Sequence, residues 1–422
     1  MGWLPYLLVL LVLVLVQLSV RRALSPIIRV GDENAYINLG AQDDPFQPAL
    51  FVRVPFMAWL SKQCYRFSSD PVDLLRKTSG FASIATILVS MISARILGGD
   101  GAAILVGLML GLMPGRIILS NHIWPDIWLG LWLSLLCLIL VYPDLPASPR
   151  ALLIGLVAAL SFMTRFDTLI LAPVTGLGMA SLSSMEWILV LSPTVLAFIT
   201  LSIRNARRYG VPWPDTTWMF NLMIAAGETG QKKASKVLVD KEVVKVFMVW
   251  RKLENPDRFI ACTASIRHLF AWPGRAISGM FLRLWASIGP DSFVLHRLLP
   301  PFGTAYPEIS TWLGKLFSVV LVFSFPVFFS ATILVLLVAD QPVAVIIWPT
   351  VAYGVTSLFH NRTRYRQAWL PGATLLFVAV VCTEGFWAML MSTESIVKWV
   401  VCVGLAVALI RYRVRSDIVS TS

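Results

Sequence analysis

The chain has 422 residues, 57% hydrophobic and only 14% charged, with a net charge of +12 and a mean hydropathy of +0.75. A soluble globular domain carries about 25% charged residues, so the apolar surplus has to face lipid and a water-soluble enzyme is excluded. Uninterrupted Leu/Val/Ile/Ala runs without strand alternation satisfy their backbone groups in lipid as helices. The expected fold class is therefore an all-α polytopic membrane protein, with residues 1–422 forming one integral-membrane domain.

A crossing takes roughly 20 apolar residues for about 30 Å of hydrocarbon. Runs of that kind lie near 3–20, 78–97, 101–119, 125–142, 151–164, 167–183, 187–203, 312–339, 343–359, 368–390 and 396–411, a bundle of about 10–11 transmembrane helices. The first, without a basic leading region or a small-residue cleavage site, reads as a retained signal-anchor span. The run 312–339 is long enough to tilt or bend at Pro326. Short links such as Gly98-Gly99-Asp100 and Asp340-Gln341-Pro342 force their neighbours to be antiparallel.

Simple alternation of these spans puts the region 21–77, the turn 116–126, the long region 204–310 and the segment 360–367 on one membrane face. Segments 46–66 and 266–288 mix Phe, Trp and Leu with Arg and Lys, which suits interfacial helices or packing on the bundle's own loops. Arg204, Arg207, Arg208, Lys232, Lys233 and Lys236 would draw the long region to the cytoplasm, but that rule weakens beyond about 60 residues. The basic tail at Arg411, Arg413 and Arg415 shares the face of 21–77 or opposes it according to whether the spans number eleven or ten. Cys137, Cys382 and Cys402 sit in apolar runs; Cys64 and Cys262 could pair in an oxidising compartment, though their spacing fits no metal or redox motif.

Four polar clusters lie on the shared face. Asp32-Glu33 follows the first span by some ten residues and precedes Tyr36; Asp32 could serve as a general base, or the pair could be a solvated cap. Asp126, in Asn121-His122-Ile123-Trp124-Pro125-Asp126, falls at a helix start where a negative charge is favourable. Asp32 and Asp126 with His122 could also hold a divalent cation, although their spacing specifies no metal. Arg165, in Thr164-Arg165-Phe166-Asp167, either neutralises Asp167 or holds a lipid phosphate in its planar fork. His360, Arg362, Arg364, Tyr365 and Arg366, ahead of Pro371, either form a phosphate site or simply anchor a helix. There is no P-loop, no dinucleotide fingerprint, no series of charges through most spans and no obvious inverted repeat, which disfavours an ATP-driven pump or an ion-coupled carrier.

With these clusters placed, the chain resembles the GT-C glycosyltransferases of the protein O-mannosyltransferase and lipid A aminoarabinose transferase superfamily. The resemblance rests on Asp32-Glu33 after the first span, SNHIWPDIWLGL with Asp126 at the start of a later span, FMTRFD with Arg165, and HNRTRYRQAWLP before a proline-containing span. It implies a GT-C-like bundle with extracytoplasmic interfacial helices, in which 21–77 is the first extracytoplasmic loop and 204–310 the long one. It also implies a polyprenyl-phosphate sugar donor, an acceptor hydroxyl on a lipid, glycan or protein, membrane lipids as neighbours and no nucleic-acid partner. It names no certain cofactor and leaves open a divalent cation that the acids could hold.

In the reaction so implied, Asp32 is the base, Glu33 and Asp126 position the acceptor or a cation, and Arg165 with Arg362, Arg364 and Arg366 stabilises the leaving phosphate. The large C-terminal soluble domain and β-rich insert that some members carry are not expected from residues 1–422. A lipid-linked-sugar translocase would use the same arginines without a base, and a polysaccharide ligase or polymerase would move a larger donor. The absence of glycosylation sequons in 204–310 points to a multi-pass protein of a prokaryotic plasma membrane.

Overall fold

The computed structural model describes residues 4–23, 33–42, 53–179, 182–229, 246, 248–274, 276–277, 344–355 and 366–382. They form helices α1 (Leu4–Ala23), α2 (Glu33–Ala41), α3 (Phe56–Phe67), α4 (Pro71–Gly111), α5 (Pro114–Leu119), α6 (Pro125–Val141) and α7 (Ala147–Thr164), then a 3-10 turn (Phe166–Ile170). α8 (Leu171–Gly178), α9 (Ser184–Tyr209), α10 (Thr217–Thr229), α11 (Asn255–Ala271), α12 (Ala344–Val355) and α13 (Arg366–Val381) complete them, and no strand occurs among the described residues. The all-α expectation is met. The expected spans 312–339 and 396–411 lie outside the described residues.

Four described helices are long and apolar enough to cross a membrane: Pro5–Arg22, Pro71–Gly111, Ala147–Thr164 and Ser184–Tyr209. Their outer faces expose Leu7, Leu11 and Leu15 on α1 and Ile188, Leu196 and Ile199 on α9, side chains that lipid accommodates and water does not.

α4 is two arms rather than one rod, because Gly98 and Gly99 leave the helical region, Gly99 at φ 76°. A Cβ on Gly107 would lie 2.8 Å from Met91 Sδ. Those residues would stand about 24 Å apart along a straight helix, so the chain reverses at the glycine pair, as its short link requires. α1 lies along this hairpin. Tyr6 donates to Asp100 at the hairpin tip, Gln17 reaches Ser83 at 3.2 Å midway, and Arg21 binds Asp73 at the other end. Cys382, just past α13, sits near Gly98, so α13 starts at the Arg21–Asp73 end.

Punctuation chemistry fixes the ends. Pro71, Pro114 and Pro125 open α4, α5 and α6, where a missing N–H costs nothing. Asp70 caps α4 through Asp73 N–H at 3.0 Å. Ser183 and Glu186 form a capping box on α9, and Gly210, at φ 68°, ends it. α7 and α9 meet at Gly155, whose Cα packs against the carbonyls of Leu189 and Val190. Pro193 removes the helical donor of the Leu189 carbonyl, so the close approach occurs where α9 has an exposed acceptor.

Three span expectations change. The run 101–119 is broken, since α4 stops at Gly111 and Pro114 starts the separate α5. The run 167–183 is a 3-10 turn followed by the eight-residue α8, with Asp167 of that turn held by Arg165. The run 78–97 starts earlier, at Pro71, which takes Arg76 into the helix. α3 buries Met57, Leu60 and Cys64 on one face and exposes Trp59 and Phe67 on the other, so it packs on the protein and also presents an apolar outer edge. Cys64 and Cys262 are both buried free thiols and do not pair.

Candidate functional site

The end of the bundle marked by Arg21–Asp73 gathers most of the buried charge. α2 begins with Glu33, which is wholly buried. Its Oε1 accepts the Ile123 backbone N–H at 2.9 Å, and its Oε2 lies 3.1 Å from His122 Nδ1. Arg76, a turn and a half into α4, brings its Nε to 3.8 Å from Oε1. A carboxylate sealed from water is tolerable only with such partners. His122 is itself fully buried, and its Nε2 has no hydrogen-bond partner among the described residues.

Asp126 occupies the first turn of α6 and is 1% exposed. Arg165, the residue that ends α7, donates from Nη1 to Asp126 Oδ1 at 2.7 Å. It also donates from Nε to Asp167 Oδ1 at 3.0 Å and from Nη2 to the other Asp167 oxygen. Trp132, further along α6, donates to Thr164 Oγ1 at 3.0 Å, tying the same two helix ends together. One guanidinium thus serves two carboxylates. The neutralising alternative for Arg165 and Asp167 is what the fold adopts, with Asp126 added to the pair.

Aromatic rings wall both sides. Phe56 of α3 stands edge-on to Trp128 and Trp132, with centroids at 5.1 Å and 5.7 Å. Phe166 stacks on Trp218 at 6.3 Å. These rings keep water away and so lower the local dielectric, which strengthens the charge contacts beside them.

Two groups joined here carry no sequence motif. Arg53 lies over the Tyr36 ring at 5.1 Å, one turn along α2 from Glu33. Asp215 is 4% exposed and accepts the Val54 N–H at 3.3 Å and the Thr217 N–H. Burial pushes its carboxyl up, against the downward pull of the Thr217 bonds and of Arg53. Asp215 therefore fastens the start of the 204–310 region to the strand of chain between α2 and α3. In sequence it reads only as an acid in a proline-flanked loop; its pairing spans 161 positions.

Of the residues singled out from sequence, Glu33, His122, Asp126 and Arg165 come together at this end. Asp32, His360, Arg362, Arg364 and Tyr365 lie outside the described residues, and Arg366 is the first residue of α13. The direction of α13 places its backbone start at the acidic end. Among the described residues no group of three or more His, Cys, Asp or Glu side chains gathers as a metal site; His122 is turned to Glu33 and Asp126 to Arg165.

The class these helices define is an integral membrane protein of all-α build. No family model and no curated protein matches the chain. Among solved structures it is similar to the crystal structure of ArnT from Cupriavidus metallidurans bound to undecaprenyl phosphate, at 16% identity over 89% of this chain and 77% of that one, with a TM-score of 0.41.

Proposed function

We propose that the chain is a membrane glycosyltransferase of the GT-C type, moving a sugar from a polyprenyl-phosphate donor to an acceptor hydroxyl at the acidic end of the bundle, with inversion. The observation that carries this reading is the convergence of acids from separate segments. Glu33, the covalent neighbour of Asp32, is bonded to the turn that leads into Asp126. Acid motifs of just this order carry the family resemblance in the sequence.

In the proposed reaction Asp32 takes the proton of the acceptor hydroxyl. The freed oxygen forms a bond to the anomeric carbon, and the bond from that carbon to the phosphate oxygen breaks, its electron pair leaving with the polyprenyl phosphate. Charge developing on that phosphate needs preorganised cations. Arg165 is already committed to two carboxylates, so we assign the phosphate to Arg362, Arg364 and Arg366, with His360 and Tyr365 as further donors. Arg165 then holds Asp126 in place, and Asp126 orients the acceptor. The face is read as extracytoplasmic because lipid-linked sugars of this kind replace nucleotide donors there, and the sequence carries no nucleotide-binding motif. A divalent cation at Asp32, Asp126 and His122 is not part of the proposed steps.

Phosphorus-31 NMR tests the reading directly. A short-chain polyprenyl phosphate sugar is a phosphodiester, and transfer or hydrolysis turns it into a phosphomonoester. The purified full-length protein is expected to make that conversion, and Asp32→Asn to abolish it. Conversion at an equal rate by both would remove Asp32 from the role of base.

A further inference from the structure

A single carboxylate on α2 holds two donors of one turn, 89 and 90 positions further along the chain. With Arg76 beside it, Glu33 acts as a carboxylate, an acceptor at both oxygens. Facing such an acceptor at 3.1 Å, His122 Nδ1 must be the donor. The other ring nitrogen, Nε2, is buried without a partner among the described residues, so no described group opposes this assignment.

We infer that Glu33 is a positioning residue, locking His122 in its Nδ1–H tautomer and pinning the Asn121–Asp126 turn to α2. Asp126 follows His122 on the pinned turn, so the pin also sets where Asp126 enters α6 relative to α2. Its importance for catalysis rests on the proposed function; the tautomer itself does not. Several features favour a pin over direct chemistry: the complete burial of Glu33, both of its oxygens already engaged, and a backbone amide among its donors.

The full-length protein, labelled with nitrogen-15 histidine and held in lipid nanodiscs, contains four histidines. The signal lost in His122→Asn assigns His122. In the wild type the proton is expected on Nδ1, with Nε2 unprotonated, a result that needs no other variant to fold. In Glu33→Gln the amide keeps an oxygen for Ile123 and turns its NH2 to His122, so the proton should move to Nε2. Donor turnover should then fall about 10–100-fold, the range for groups that orient a functional one, with affinity for polyprenyl phosphate unchanged. A proton on Nε2 in the wild type, or wild-type turnover by Glu33→Gln, overturns the inference. The expected tautomers in a protein that turns over no donor would uphold the pin and overturn the transferase reading instead.

Discussion

Arg165 Nη1 donates to Asp126 Oδ1 at 2.7 Å, joining the last turn of α7 to the first turn of α6. Because the same guanidinium also grips Asp167, its removal strands two shielded carboxylates at once. Loss of one member of a buried pair costs about 3–5 kcal/mol. Arg165→Ala should therefore lower the thermal midpoint in detergent and abolish turnover, whereas Arg165→Lys, which keeps the charge but loses the fork, should recover stability in part. An unchanged midpoint in Arg165→Ala would mean the pair is not formed.

Asp126→Asn separates charge from contact. The amide oxygen can still accept from Arg165, so folding should persist. If Asp126 orients the acceptor, turnover should fall at least about tenfold, a loss of about 1.4 kcal/mol in the transition state. Steady-state kinetics with a fixed donor and varied acceptor would place that loss.

Asp215 supplies a pH dependence of defined sign. Burial raises its folded-state pKa above that of the unfolded chain, so the folded state holds the proton more tightly. The associated stability is complete below the ordinary carboxylate range and is lost as pH rises through the raised folded value. Asp215→Asn removes the charge but keeps only one acceptor oxygen, so one of the Val54 and Thr217 N–H bonds is lost at every pH. Its midpoint should therefore gain on the wild type's as pH rises from acid to neutral, from an offset that the lost bond sets. A midpoint difference that stays constant from acid to neutral pH would contradict the assignment.

Gly155 tests the α7–α9 contact. A methyl group there would run into the Leu189 carbonyl, which is backbone and cannot rotate away. Gly155→Ala should cost about 1–3 kcal/mol, the usual range for overpacking, visible as a lower thermal midpoint. Gly101→Ala, with open space around its Cα, is the control.

The membrane class and the helix start at Pro125–Asp126 were legible in the sequence for local reasons. Apolar runs report burial in lipid, and Pro125 reports a helix start whatever surrounds it, whereas the starts at Pro71 and Pro114 were missed because hydropathy does not mark them. Legibility ended where long-range pairing decides. Nothing near Arg76 or Asp215 announces that each will be buried against a partner segment, and Glu33 meets His122 only through the packing of α2 on the α5–α6 turn. Hydropathy also reads composition rather than continuity. It could not see the 3-10 turn at Phe166–Ile170, or that Pro114 would split the run 101–119.

The central claim is bond cleavage at the acidic end of the bundle, and one measurement meets it most directly. Purified wild type and Asp32→Asn, each incubated with a panel of radiolabelled short-chain polyprenyl phosphate sugars, would be scored for sugar released or transferred. The account predicts product from at least one donor with the wild type and none with Asp32→Asn. Tight binding of the intact lipid by both proteins, with no glycosidic bond broken across the panel, would contradict it and identify a carrier of lipid-linked sugars instead.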